Sequence, residues 1–421
     1  MDETRVVTVF LRNGTDVLLL RRSDDVGSYR GRWGAVAGHA EGRPDEQARV
    51  EIAEETGLDG DAISLVRRGE EFAVEDADRG TRWMVTPYLF DAAVRTVDPN
   101  EETTTHEWAP PTEILRRETV PDLWGSYWRV APTVETVRGD ETHGSAYLSL
   151  RALEVLRDRA ALATERAGDD FEDLATTAGD LLAARPGMAA VRNRVDRAMA
   201  VAAPSGTTAA VERAATEAIE AALAADASAA AAARERVAGE RVVTVSRSGT
   251  VLEALETGSP AAVSVAESRP GGEGVAVAED LATRGLDVTL TTDANLPAVV
   301  ADASLCLVGA DTVEPDGSIV NKVGTRALSL AAREAEVPCL AVCSTDKIAP
   351  EGRESIPTGD PSTLYDGEAP IRVENPRFER VPPTHVDGVL TEAGVLDAAR
   401  IASLSAVHAA RARWRTEGER I

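Results

Sequence analysis

Lysine is almost missing from this chain. Of its 421 residues only Lys322 and Lys347 are lysine, and arginine supplies the rest of the permanent positive charge. Against 45 basic residues stand 71 acidic ones, a formal net charge of -26. Such an excess repels itself at low ionic strength and is screened at high salt. The balance looks like that of a halophile-type protein from a salt-loaded cytosol, with a salt-adapted surface. It argues against non-specific nucleic-acid binding, and it makes a solvated face the ordinary explanation of any lone acidic cluster. A run of about 20 apolar residues is also missing, so no membrane span is expected. The opening "MDETRVVTVF" lacks the charged-then-apolar pattern of an export signal, which points to the cytoplasm. Cysteine is scarce too. Cys306, Cys339 and Cys343 sit in apolar, strand-like runs, which suits buried reduced thiols and not a disulfide frame or a metal site.

What is present divides into stretches of different periodicity. The length calls for two or three domains, and 43% hydrophobic residues give each a core. Residues 1–133 mix short strands ("RVVTVFLR", "DVLLLRR", "RWMVTPYLFDAAV", "HEWAP") with one good helix at 45–57. Residues 134–238 become helix after helix and end in an alanine-rich, strongly helix-forming run. Residues 239–421 alternate apolar strands ("RVVTVS", "AAVSVAES", "DVTLTTD", "LCLVGAD", "CLAVCS") with helices. That alternation predicts a parallel, doubly wound, Rossmann-like sheet, and the whole chain reads as α/β.

The first candidate site is "EIAEETGL", residues 51–58. On a helix, Glu51, Glu54 and Glu55 share one face, where their charges repel. A hard divalent cation with oxygen ligands relieves that repulsion and pairs with substrate phosphates. Mg²⁺, or Mn²⁺, is the expected cofactor. It can activate water and stabilise charge on a phosphoryl group.

With its flanks, "WGAVAGHAEGRPDEQARVEIAEETGL" resembles the box of the Nudix hydrolases. The resemblance covers about residues 4 to 130 and implies an α/β/α sandwich that cleaves diphosphate bonds. Glu54 and Glu55 fall on the family's metal ligands, Glu51 on the supporting or basic carboxylate, and Gly38 on the opening glycine of the metal loop. The chain also departs from the pattern. The loop from Gly38 to Glu51 is two residues short, Gly42 or Arg43 stands where the first box glutamate belongs, and Val50 replaces the box arginine that orients the glutamates.

The second candidate site lies at the strand ends of the C-terminal sheet, where doubly wound sheets bind ligands. In order these ends offer Ser246, Glu267-Ser268-Arg269, Asp293, Asp311 and Ser344. Each alone reads as a cap or turn residue; together they predict a pocket. "SRSGT" at 246–250 opens a helix whose amides, at Ser248 and Gly249, can cradle an anion. "NKVGT" at 321–325 opens another and carries Asn321 and one of the two lysines, Lys322.

"ESRPGGEG", "VGADTVEPDGSIVNKVGT" and "PPTHVDGVLTEAG" resemble the alpha, beta and delta subunits of translation initiation factor 2B. They resemble equally the related isomerases of methylthioribose 1-phosphate and ribose 1,5-bisphosphate. The likeness runs from about 145 to 415 and includes "RPGM" at 185–188. It implies an aldose–ketose isomerisation by a cysteine and an aspartate, and pairing into a homodimer through the C-terminal domain. Asp311 falls on the aspartate, but Ser246 stands where the cysteine belongs, and a hydroxyl without a base is a poor proton carrier. The resemblance leaves Arg269, Asn321 and Lys322 as phosphate contacts and Asp311 on a hydroxyl, and the strand-end position adds Asp293 to the candidate substrate-binding groups.

Three readings follow. The first is a Mg²⁺-dependent hydrolase of a nucleoside-diphosphate-linked compound, fused to a domain that binds a phosphorylated sugar or nucleotide. The second is a sugar-phosphate isomerase with an altered pair, Ser246 and Asp311. The third is a non-enzymatic, factor-2B-like protein acting through partners. The retained glutamates favour the first.

Overall fold

A computed structural model describes residues 2–40, 42–168, 170–352, 356 and 358–417. The chain divides into two compact units, Met1–Thr133 with Arg157–Asp170 and Val134–Leu156 with Phe171–Ile421. Among the described residues no helix is long and apolar enough to cross a membrane.

The first unit is built on one mixed sheet. Its strands are β1 (Asp2–Asn13), β2 (Asp16–Arg22), β3 (Trp33–Gly34), β4 (Val36–His39), β5 (Ile63–Arg68), β6 (Phe72–Asp76), β7 (Thr81–Ala92) and β8 (Thr103–Ala109). The path runs β3-β2-β1-β7-β5, with β4 on β1, β6 on β7 and β8 on β2. β1 and β7 pair in parallel, from Asp2 against Thr81 to Arg12 against Asp91. Both faces are covered, as the period-two alternation of side chains requires. Val7, Val9, Leu11, Tyr88 and Phe90 pack on Ala48 and Ile52 of helix α1 (Pro44–Thr56). Phe10, Leu19 and Leu89 point the other way, onto Leu123 and Tyr127 of α2 (Leu123–Trp128). Helix α1 has a proline in its first turn, where the missing N–H costs nothing. It stops at Gly57, whose left-handed φ of 72° lets its N–H reach Ala53 O.

The second unit opens with helices α3 (Val134–Gly139), α4 (Ser145–Glu165), whose residues from Arg157 on count with the first unit, α5 (Phe171–Ala184), α6 (Ala189–Ala202) and α7 (Thr208–Val237). Then come β9 (Arg241–Val245), α8 (Gly249–Gly258), β10 (Ala262–Ala266), α9 (Glu273–Thr283), β11 (Val288–Thr291), α10 (Leu296–Val300) and β12 (Leu305–Gly309). The remainder is β13 (Thr312–Val313), β14 (Ile319–Lys322), α11 (Thr325–Glu334), β15 (Cys339–Val342), β16 (Phe378–Val381), β17 (Gly388–Thr391), β18 (Gly394–Leu396) and α12 (Ala398–Arg411). The main sheet is ordered β11-β10-β9-β12-β15-β17-β18, parallel except for the β17–β18 hairpin. The order reverses between β9 and β12, which opens a crevice beyond the carboxyl ends of those strands. Cys306, Cys339 and Cys343 are buried free thiols within this sheet. A small antiparallel sheet, β13-β14-β16, sits after the switch.

A buried charge cluster ties the helices to the ends of the strands. Arg194 of α6, fully buried, reaches Asp346 Oδ2 at 2.9 Å, Asp226 Oδ1 at 2.7 Å and Ser149 Oγ at 2.9 Å. Burial works to raise the Asp346 carboxyl, but Arg194 and Arg197 outweigh it and hold the group below its ordinary range.

Two candidate sites

The three glutamates of α1 do not sit alike. Glu55 is on the buried side, only 6% exposed, and its Oε1 accepts the Ala37 N–H at 3.0 Å. Glu51 is half-buried and Glu54 exposed, and both line a cavity of about 650 Å³ with Arg22, Gln47 and Glu102. Gly38, at the end of β4, has its Cα against Glu51: a Cβ there would lie 1.7 Å from Glu51 Oε1. Burial, and then the charges of Glu51 and Glu102, push the Glu55 carboxyl up to about 8, against the pull of the Ala37 N–H.

Val50 stands 44% exposed on the helix and touches none of this. The orienting contact expected of an arginine at that position comes instead from Gln47, one turn earlier. Its Nε2 donates to Glu51 Oε1 at 2.8 Å. Tyr29 and Trp83 form a further wall of the cavity.

The donor set fits a hard divalent cation in kind, being carboxylate oxygens, one of which, on Glu55, burial first and neighbouring charge second favour in the protonated form. Among the described residues, no group of three or more His, Cys, Asp and Glu side chains is arranged to hold a metal ion. The glutamates are therefore not converged into a finished cage.

In the second unit, Ser246 is joined through Ser268 to Asp293, and Ser248 and Asn321 both lie against Gly309. Ser246 follows β9 in a left-handed conformation, φ 62°, which side chains rarely adopt. Its N–H donates to Ser268 Oγ at 2.6 Å. Among the described residues no hydrogen bond to its hydroxyl is found. Asp293 accepts the N–H groups of Ser268 at 2.9 Å and Arg269 at 2.7 Å, clamping the loop after β10. Arg269 itself is 66% exposed and bonds Glu267.

Ser248 caps α8, of which Gly249 is the first residue, and lies against Gly309, where a Cβ would come within 2.7 Å of it. Asn321 is buried and donates to Thr325 Oγ1 at 2.9 Å. Lys322 is buried as well, its Nζ 2.6 Å from Glu273 Oε1. Its charge is matched by this carboxylate. Glu273 Oε2 has no hydrogen-bond partner.

Asp311 lines a pocket of about 470 Å³ with Arg185, Arg192 and Glu314, over an apolar floor that includes Met188 and Phe378. Ser145 Oγ donates to Asp311 Oδ1 at 3.3 Å. Glu314 is paired with Arg380 at 2.7 Å, and Arg185 donates to the carbonyls of Val137 and Asp140. Among the described lining residues Arg185 and Arg192 are the cations, and sequence reasoning did not pick them out as site residues. Arg185 does belong to "RPGM", a segment to which the resemblance gives no role.

Two family models match the chain: NUDIX domain over residues 2–129, and initiation factor 2 subunit family over residues 141–398. The chain is similar to the ribose 1,5-bisphosphate isomerase of Archaeoglobus fulgidus, 28% identical over 63% of this chain and 89% of that protein. It is also similar to the enzyme of that name from Haloferax volcanii, 36% identical over 34% of this chain and 47% of that one, so it spans about half of that relative. A putative translation initiation factor eIF-2B subunit 2-like protein of Pyrococcus furiosus is 34% identical over 38% of this chain and 58% of its own length.

Among solved structures, translation initiation factor eIF-2B from Pyrococcus horikoshii superposes with TM-score 0.55 at 24% identity, over 62% of this chain and 94% of that one. The 5-methylthioribose 1-phosphate isomerase from the same organism gives 0.54 at 18% identity, over 72% and 90%. At these identities the superpositions show the fold.

Proposed function

The chain belongs to the initiation factor 2 subunit family and carries a NUDIX domain ahead of the family's segment; from that premise we propose a two-part protein. Its first unit hydrolyses the diphosphate bond of a nucleoside-diphosphate-linked compound with Mg²⁺ or Mn²⁺. Its second binds a phosphorylated sugar or nucleotide and pairs two copies into a cytoplasmic homodimer. Residues 134–238 form its helical subdomain and 239–421 its Rossmann-like, ligand-binding part.

One observation carries the hydrolase reading: a buried carboxyl, Glu55, accepts the Ala37 N–H beside Glu51, whose own side chain occupies the space left by Gly38. In this reading Glu51, Glu54, Glu55 and the Gly38 segment hold the cation. When bound, that ion neutralises diphosphate charge and activates water. The chain's own groups do the rest. Gln47 holds Glu51 in one orientation. The Ala37 N–H fixes Glu55 Oε1 as an acceptor, so a proton on the free acid sits on Oε2. Arg22, on the cavity wall, offers positive charge to the substrate.

For the second unit, Arg185 and Arg192 in the Asp311 pocket favour an anionic ligand with hydroxyls. Isomerase activity there is the second reading. Asp311 supports it, and the Ser246 hydroxyl, in the place of a thiol, opposes it. The third reading, a partner-binding factor without catalysis, leaves the strained Glu51–Glu55 arrangement without a purpose.

Phosphorus NMR tests the choice, on the full chain in concentrated KCl with Mg²⁺. The substrates are nucleotide sugars, dinucleotides, nucleoside triphosphates and ribose 1,5-bisphosphate. Diphosphate cleavage lost in Glu54→Gln/Glu55→Gln is expected. Ketose bisphosphate formed equally by both proteins would overturn the reading in favour of the isomerase.

A further inference from the structure

The glutamate cavity of the first unit has a neighbour. A second cavity, of about 560 Å³, shares Tyr29 and Pro121 with it. Arg30, Arg32 and Arg79 line this second cavity. Such a cluster runs against a chain whose formal charge is -26. Arginine stays charged at any working pH, and its planar fork matches the oxygens of a phosphate.

The backbone that carries these arginines also builds the first cavity. Arg30 and Arg32 lie between β2 and β3, and Arg79 in the turn between β6 and β7. Arg22, at the end of β2, lines the glutamate cavity. Its N–H donates to Arg32 O at 3.0 Å, and its carbonyl accepts the Gly31 N–H at 3.0 Å. The Arg32 N–H closes a turn onto Tyr29 O at 3.2 Å. Arg79 lies 4.9 Å over the Tyr29 ring, and its Nη1 donates to Gly27 O at 3.4 Å. The two cavities are thus fixed to each other through one short, hydrogen-bonded segment.

The arginines are anchored by part of their capacity. Arg30 Nε donates to Val26 O at 3.1 Å, and Arg32 Nη1 to Thr119 O at 3.1 Å. Among the described residues each of the three side chains makes one hydrogen bond, which leaves other guanidinium N–H groups to offer. All three residues are exposed. Glu75, Asp76 and Asp78 line the same cavity. Asp76 is engaged within the fold: its Oδ2 accepts Tyr29 Oη at 2.6 Å and its Oδ1 the Arg79 N–H at 3.1 Å. Glu75 and Asp78 are exposed and suit the hydroxyls of a sugar.

We infer that the arginine-lined cavity is a second anion subsite, which takes a phosphomonoester remote from the diphosphate that meets Glu51, Glu54 and Glu55. The inference rests on the hydrolase reading and adds the substrate class to it: a nucleoside-diphosphate-linked compound bearing a further phosphate on a sugar. Charge-assisted, forked hydrogen bonds hold that phosphate, and a compound without it forfeits them.

The test is calorimetric titration of the full chain in concentrated KCl without divalent cation. Each probe pair differs by one phosphomonoester: NADP⁺ and NAD⁺, coenzyme A and dephospho-coenzyme A, ADP-ribose 1″-phosphate and ADP-ribose. The salt screens long-range fields, and the net charge of the chain would in any case repel the extra phosphate, so a preference for it reports local contacts. In at least one pair the phosphorylated member is expected to bind about tenfold tighter or more. In Arg30→Gln/Arg32→Gln/Arg79→Gln the two members of that pair should bind within about threefold of each other, with the unphosphorylated one held as in wild type. If the triple variant loses both members, Arg30→Gln and Arg32→Gln decide singly: each should lower the phosphorylated member's affinity alone. A wild type that discriminates in no pair overturns the inference, as does a preference that survives these substitutions. Adding Mg²⁺ separates the two claims. Phosphate preference without diphosphate cleavage would sink the hydrolase reading and leave the subsite standing; cleavage without preference in any pair would do the reverse.

Discussion

Gly38 and Glu51 meet where a side chain would otherwise stand: a Cβ on Gly38 would lie 1.7 Å from Glu51 Oε1. The clash is with the far end of a flexible side chain, so the backbone can survive it. Gly38→Ala is therefore expected to swing Glu51 out of the site while leaving the fold. Diphosphate cleavage should fall by tenfold or more, at a stability cost below about 2 kcal/mol. Steady-state rates and a thermal melt on the same sample check both halves.

Glu55 makes stability depend on pH. Its folded-state pKa is raised from 4.5 to about 8, so the folded chain keeps this proton longer than the unfolded one. The stability linked to it is complete below 4.5 and is lost as pH rises through about 8. Each tenfold change in proton affinity corresponds to about 1.4 kcal/mol. Without divalent cation, the unfolding midpoint of the wild type should fall more between about pH 5 and pH 9 than that of Glu55→Gln. Parallel curves would remove Glu55 from the account.

Gln47 acts through Glu51 and is a positioning residue. Hydrogen bonds to charged groups contribute roughly 1.5–3 kcal/mol, so Gln47→Leu should lower kcat by about tenfold or more with little change in KM. Gln47→Arg, which restores a donor on the same turn, should recover most of the rate. A uniform rise in KM would mean that Gln47 binds substrate instead.

Lys322 and Glu273 form a half-sheltered pair, the lysine buried and the carboxylate about one-third exposed. A double-mutant cycle with Lys322→Met and Glu273→Gln should show a coupling of about 1–3 kcal/mol in chemical unfolding. Additive losses would mean that Lys322 is held for ligand and not for Glu273.

In the second unit, Arg185→Ala should weaken binding of ribose 1,5-bisphosphate by about tenfold, as loss of a charged contact does. Isothermal titration checks it. Retention of wild-type affinity would move the ligand away from the Asp311 pocket.

Much of this architecture was legible because its signals are local. The five apolar runs from "RVVTVS" to "CLAVCS" became β9, β10, β11, β12 and β15. The helix expected at 45–57 is α1, Pro44–Thr56, but spacing alone did not show that Glu55 turns to the buried side while Glu54 is exposed. What stayed hidden depends on distant partners. β14 pairs with β16, Ile319 against Val381, across a long intervening segment, and β13 is only two residues long. The hold of Asp293 on the amides of Ser268 and Arg269, 25 and 24 residues earlier, carried no sequence signal. Gln47 carried no signal because the expected orienting residue was an arginine at position 50. Tyr29 and Trp83 are brought to the glutamates by the sheet, from a loop and from β7.

The claim that the glutamates of α1 are a cation site is tested most directly by counting protons when Mn²⁺ binds. At neutral pH the Glu55 carboxyl, pushed up to about 8, is mostly protonated, and a cation must displace that proton to use the oxygen. Titration in weakly buffered, concentrated KCl near pH 7 should release close to one proton per ion bound at this site. The release should vanish near pH 10, and it should be absent at either pH in Glu55→Gln. Mn²⁺ that binds without releasing a proton, or releases as many from Glu55→Gln as from wild type, would contradict the account.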